Sequence, residues 1–233
     1  RTDQVFNATL ALADGAGISG AGEINLTLSS SDLGDARIDV PAGAASIGPN
    51  QTITGQGRTI GNLNVLGTID PGPGAGQIQS NSGTVTRAAT SVFRVDLAGA
   101  DGLSHDRIVG NADHVLAGEL IVNEIDGYLP VVGDEFVLID GASVTGAFDT
   151  VTLPATLPNR VYRLFYESDR VLLVYTCDGD FAPPYDVLDF SDVLAFLAAF
   201  SAGDPLVDLA TPLGVFDFSD VIAFLSAFGA GCP

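Results

Sequence analysis

Residues 51–86 read QTITGQGRTIGNLNVLGTIDPGPGAGQIQSNSGTVT, and this stretch decides the fold. Its strand-like pieces are very short: Thr52-Ile53-Thr54, Leu63-Asn64-Val65, Thr68-Ile69, Gln77-Ile78-Gln79 and Thr84-Val85-Thr86. They are separated by glycine, asparagine and the turn Pro71-Gly72-Pro73-Gly74. A strand this short buries almost nothing by itself. Rungs repeated at near-regular spacing can build a core if each turn lays its apolar side chains on the next, which is the logic of a β-solenoid.

The same texture extends outward. From Val5 to Thr176 short alternating or β-branched runs are broken by turn residues, with no helical period. Ile24-Asn25-Leu26-Thr27-Leu28, Ser91-Val92-Phe93-Arg94-Val95-Asp96-Leu97, Glu119-Leu120-Ile121-Val122 and Phe136-Val137-Leu138-Ile139 are examples. The segment from Gln4 to Leu12 reads either as the first strand of its own domain or as a strand that pairs with a neighbouring subunit.

Composition narrows the function classes. The 233 residues are 46% hydrophobic, which suits one or two folded domains. Asp and Glu number 29 against 9 basic residues, giving a formal charge of −20. That charge repels phosphate backbones and anionic membranes, so nucleic acid is not an expected partner. No apolar run approaches the roughly 20 residues of a membrane helix. Lysine, methionine and tryptophan are absent, and a chain opening at Arg1 on strand-like sequence is expected to be a mature secreted protein, extracellular or at the cell surface. Asn7, Asn25 and Asn50 head Asn-X-Thr sequons; glycosylation and chance occurrence are the two readings.

The last quarter of the chain differs. Residues 189–200, Asp-Phe-Ser-Asp-Val-Leu-Ala-Phe-Leu-Ala-Ala-Phe, recur at 217–228 as Asp-Phe-Ser-Asp-Val-Ile-Ala-Phe-Leu-Ser-Ala-Phe. In each copy apolar residues fall at helical spacing, Val193, Phe196, Leu197 and Phe200, then Val221, Phe224, Leu225 and Phe228, and the two stripes are expected to pack together. Asp189 and Asp217 stand at N-cap positions, with Asp192 and Asp220 in the first turn. A functional reading competes with capping. With Asp180 and Asp208 upstream, each repeat brings three carboxylates to a helix entry, Asp180, Asp189 and Asp192 or Asp208, Asp217 and Asp220, a set of hard oxygens suited to calcium. Cys177 and Cys232 bracket the repeat, and a disulfide is expected; unpaired thiols and a metal pair are the alternatives, though two cysteines fall short of a zinc ligand set.

Two resemblances follow. The segment Leu63 to Tyr175 resembles one common in autotransporter-like and planctomycete surface proteins, through Gly67-Thr68-Ile69-Asp70-Pro71-Gly72, Phe93-Arg94-Val95-Asp96-Leu97, His105-Asp106-Arg107-Ile108-Val109, Gly118-Glu119-Leu120-Ile121-Val122 and Gly133-Asp134-Glu135-Phe136-Val137-Leu138-Ile139. The resemblance implies the last rungs of a β-helix running into a β-rich cap, in a scaffold role. The two loop-helix repeats, ending Gly231-Cys232-Pro233, resemble a dockerin domain of the type ending in Gly-Cys. That resemblance implies an attachment module with calcium as its cofactor. The loops depart from it at Ala182, Pro184, Ala210 and Pro212, where acidic or amide residues are usual, and Asp186 stands where the second copy has the turn glycine Gly214.

Signals for catalysis are sparse. His105 and His114 are the only histidines, read as solvated turn residues, and no nucleophile elbow or Cys-His arrangement is visible. Arg58, Arg87, Arg94 and Arg107 are the residues a β-helix polysaccharide lyase would call on, and single strand arginines are more simply outward-facing. The expectation is therefore a mainly β chain, with a β-solenoid structural domain over 1–176 and a small two-helix dockerin-like module over 177–233. Its expected role is that of a non-catalytic extracellular structural protein, cell-surface or filament-forming, which self-associates or attaches to a receptor. A carbohydrate-binding or cohesin-docking module, with polysaccharide as partner, is the alternative, and the lyase ranks last.

Overall fold

The structure is a computed structural model that describes residues 8–26 and 36–232. Strands come first along the chain: β1 (Ala8–Ala11), β2 (Gly17–Ile18), β3 (Gly22–Leu26), β4 (Ala36–Ile47), β5 (Gln51–Gly55), β6 (Arg58–Val65), β7 (Thr68–Asp70), β8 (Gln77–Ser80) and β9 (Thr84–Arg87). They continue as β10 (Val92–Leu97), β11 (Arg107–Gly110), β12 (Asp113–Leu116), β13 (Glu119–Glu124), β14 (Asp134–Asp140), β15 (Ser143–Gly146), β16 (Thr150–Thr152), β17 (Arg160–Tyr166) and β18 (Arg170–Cys177). Two helices close the chain, α1 (Phe190–Ala202) and α2 (Phe218–Ala230). Strand accounts for 45% and helix for 13%.

The strands wind into a β-solenoid of about 5 turns. One face is the sheet β16-β13-β10-β7-β5-β3, all in parallel register. Its inward residues form a ladder, Ile24, Ile53, Ile69, Phe93, Leu120 and Val151, each paired with the next. The middle members are buried, while Val151 on the edge strand β16 is 40% exposed. Each full burial contributes roughly 1.5–3 kcal/mol, so the stack stabilises the solenoid together with the buried residues of the second sheet, among them Ile38, Leu63, Ile78 and Ile108. The second sheet bends. The first half of β4 and of β6 pairs toward β8, β11 and β14, and the second half pairs toward β9, β12 and β15, with a register shift between Asp39 and Ala44. Backbones approach closely at that bend: Gly61 has φ +88°, and a Cβ there would lie 2.1 Å from the Val40 carbonyl oxygen. The described part of the N-terminal segment, β1, pairs with β4 of its own chain, and residues 4–7 lie outside the described residues.

The ladder numbering explains the irregular period. From Ile53 onward each turn is longer than the last while the rungs keep register: the corner segment 71–76 gives way to the longer 98–106 and 125–133, and in the last turn β14 is longer than β11. One corner is tied by Asp106, fully buried, whose carboxylate accepts the Gly76 N–H at 2.6 Å and the Asp96 N–H at 2.9 Å. Burial pushes this carboxyl up to about 7.

The residues form two compact units. The first holds the solenoid, 8–26 and 36–129 with Phe136–Pro154 and Tyr166–Leu172; the second holds Pro130–Glu135, Ala155–Phe165 and 173–232. The second has its own core, in which Phe196 of α1 and Phe224 of α2 stack face to face at 4.1 Å between centroids, with Phe181 edge-on to both. Val193, Phe200, Val221 and Phe228 pack around this cluster. Leu197 and Leu225 do not: both are exposed, so the expected packing stripe is corrected by those two positions.

Candidate functional site

The duplicated module gathers the acidic residues singled out from the sequence, and the structure gives each a distinct job. Asp189 and Asp217 are N-caps in extended conformation, each accepting from the backbone and hydroxyl of the serine two residues on, Ser191 and Ser219. These bonds hold the Asp189 carboxyl below the usual carboxylate range. Asp192 is fully buried. Its Oδ1 accepts the Phe181 and Ala182 N–H groups at 2.8 and 2.9 Å, and its Oδ2 accepts the Asp189 N–H at 2.8 Å. Asp220 repeats this in the second copy with the N–H groups of Leu209, Ala210 and Asp217. The amides, that of Asp217 foremost, hold the Asp220 carboxyl low. The third aspartate of each loop is thus a staple that fastens the loop to the first turn of its helix, completing a capping box.

This bears on the calcium expectation. Among the described residues the three carboxylates of a repeat do not form a three-ligand cluster. Three N–H donors already occupy the Asp192 carboxylate and three the Asp220 carboxylate, leaving each about one of its four acceptor sites for a cation. The atoms that suit a cation are elsewhere: Oδ1 of Asp180 and Oδ1 of Asp208, buried and without a hydrogen-bond partner at equivalent places in the two copies. Asp180 Oδ2 accepts from the Thr176 hydroxyl at 2.6 Å, and Asp208 Oδ2 from the Gly214 amide. Burial, with the Asp192 carboxylate beside it, pushes Asp180 up to about 7. Gly214 turns with φ +87°, whereas Asp186, its sequence counterpart, is not in that region, so the loops differ in path as well as composition.

Arg163, on β17, is the residue the sequence did not single out. It is buried, its guanidinium lies 3.7 Å over the Phe181 ring, and it donates to the carbonyl oxygens of Asp178 and Leu206. Burial pulls it down to about 10, still cationic at neutral pH, and Asp178, Asp180 and Asp192 favour its charge. A protein cation therefore already faces the first loop. Val161, Tyr162, Pro205, Leu206, Leu209, Ala223 and Ala227 surround it in a cleft of about 450 Å³. Nothing local in the sequence marks Arg163, because it reaches the loop from a strand earlier in the chain.

Cys177 and Cys232 are joined by a disulfide with Cα atoms 5.5 Å apart, closing the module at both ends. Their sulfurs lie near Asp180, but bonded cysteines are not thiolate ligands.

Outside this closed interior, the helices expose a second apolar stripe. Phe190, Leu194 and Leu197 lie on one side of α1 at i, i+4 and i+7; Phe218, Ile222 and Leu225 occupy the same places on α2. Phe190 and Phe218 are 70% and 72% exposed.

The remaining expected residues lie apart. Asn25, on β3, and Asn50, in the turn before β5, are exposed, and Asn7 lies outside the described residues. Arg94 is exposed, and Arg58 and Arg107 are partly so. Arg87, expected outside, is buried among the solenoid rungs, and both histidines, expected in solvated turns, are buried too. His105 sits in a corner with its ring nitrogens on the carbonyl oxygens of Asp101 and Val137, at 3.0 and 3.3 Å. No helix among the described residues is long and apolar enough to cross a membrane. Compared with known proteins, the chain matches no family model and no curated protein.

Proposed function

We propose that the protein is a non-catalytic extracellular structural protein whose solenoid is a scaffold and whose C-terminal module is an attachment or assembly unit. The observation that carries this reading is the repeated outer stripe, Phe190, Leu194 and Leu197 with Phe218, Ile222 and Leu225. Large aromatic and aliphatic side chains grouped on a surface mark protein interaction sites. Both copies present the same three positions while their core phenylalanines face inward, so neither stripe is a by-product of packing. The edge strand β16, exposed along its whole length, adds a second surface open to strand pairing.

Self-association is the first form to test. Light scattering on the full chain over a wide concentration range is expected to show assemblies that Leu194→Asp with Ile222→Asp abolishes, circular dichroism being unchanged. A wild-type chain that stays monomeric throughout would remove the assembly reading and leave attachment to a different protein. Calcium enters this proposal only through Asp180 and Asp208, and titration calorimetry with calcium on wild type and on Asp180→Asn with Asp208→Asn tests it directly.

A further inference from the structure

Inside the solenoid two nitrogen-rich side chains occupy places that the ladder otherwise gives to aliphatic ones. His114 pairs on one side with Val85 and on the other with Val144, and is fully buried. Arg87 pairs with Val65, lies two residues after Val85 on the same inward side of β9, and is 2% exposed. All three guanidinium nitrogens of Arg87 and both ring nitrogens of His114 are buried without a hydrogen-bond partner among the described residues. Among the described residues the compensating contact is the Phe93 ring, 4.7 Å from the guanidinium carbon.

An aromatic face offsets part of a buried cation's desolvation but accepts none of its five N–H bonds along their axes. Arg87 remains protonated at neutral pH: burial alone draws it down, to about 10, with no acidic group acting on it. A positive charge so placed requires a negative partner, and the described residues supply none. Arg163 shows the contrast, since its equally buried guanidinium is given carbonyl oxygens and three aspartates. Neutral His114, which feels the Arg87 charge, adds one more N–H donor to the same interior.

We propose that Arg87 and His114 form an internal site for a small monovalent inorganic anion of chloride size, enclosed as the solenoid folds. The anion accepts from the guanidinium and from the imidazole N–H and neutralises the charge in place. It is a structural ion, so the folded chain binds it and the unfolded chain does not.

Thermal unfolding of the full chain in sodium chloride and in sodium gluconate at matched ionic strength tests the proposal, gluconate being too large to enter. Wild type is expected to gain roughly 5–10 °C in Tm once chloride exceeds its dissociation constant a hundredfold. Arg87→Leu is expected to lose the difference between the salts. Equal Tm values in the two salts overturn the proposal. Crystals of wild type grown in sodium bromide give a reading that does not depend on a variant folding: an anomalous peak within hydrogen-bond distance of the Arg87 guanidinium supports the site, and density for water alone there overturns it.

Discussion

Two buried titratable groups in the solenoid are predicted to hide each other's pH dependence. Asp106 has a folded pKa raised from 3.8 to about 7, so between these values the folded chain holds a proton that the unfolded chain has released. Its contribution is fully present below the unfolded pKa and is lost as pH rises through the folded one. His114 runs the other way, lowered from 6.5 to about 4, so the unfolded chain binds the proton first, and its contribution is lost as pH falls. Each slope is about 1.4 kcal/mol per pH unit, opposite in sign, and over the shared window from about pH 4.5 to 6 they cancel. Wild-type solenoid stability from these two groups should be nearly flat there. Asp106→Asn leaves His114 unopposed, and stability should then climb by about 2 kcal/mol more across the window than in wild type. His114→Leu should lower that change by about as much relative to wild type, while buried His105, its pKa lowered by burial, adds the same upward slope to all three proteins. Urea unfolding followed by circular dichroism at several pH values reads this, with slopes compared rather than absolute stabilities, since both variants also lose contacts. Gluconate buffers are the right medium, because an anion beside His114 would favour its charged form and shallow the slope. Variants whose slopes match wild type would refute the assignment of these two groups as the titrating pair.

Further outcomes concern the C-terminal module. Asp192→Ala strands three backbone N–H groups, a loss of about 3–5 kcal/mol that should appear as faster amide exchange over residues 181–192; unchanged exchange would mean that the staple does not close the loop. Phe224→Ala removes one half of the central ring stack and should cost about 3–5 kcal/mol, read by urea unfolding of the oxidised chain. Reduction of Cys177–Cys232, which spans 55 residues, should lower module stability by about 4 kcal/mol, with no comparable change in exchange along the solenoid ladder. Asp180 holds its proton to about 7, so its contribution weakens as pH rises toward neutrality, and Asp180→Asn should flatten that part of the module's pH profile.

How much of this was legible in the sequence varied with how local the signal was. The rungs of residues 51–86 announced themselves because a β-branched residue between two polar ones is a one-strand pattern, complete in three positions. The turn length was not legible, since it is set by corner segments whose sequence carries no ladder. The inward arginine and histidine were readable in principle: Arg87 shares the parity of Val85, and His114 that of Leu116, and period-two alternation puts such pairs on one face. The prior that charged strand residues face out overrode that parity. For the helices, hydrophobic residues on two sides left the buried face undecided, and the Phe196–Phe224 stack settled it against Leu197 and Leu225. Arg163 had no local mark at all.

The two copies of the repeat separate what the module needs for folding from what it offers outward. Both retain the capping aspartate, the staple aspartate, the central phenylalanine and the outer triplet. They differ around the first aspartate, where one copy has Thr176, Arg163 and full burial and the other has Gly214 and partial exposure. Capping, stapling and ring stacking account physically for the first three shared features. No contact inside the unit accounts for Phe190 and Phe218 standing 70% and 72% exposed, since an apolar ring in water contributes nothing to the fold. A large apolar position held in common without a packing role points to a surface that works by being covered, and this is why the outer stripe, rather than the acidic loops, carries the functional reading.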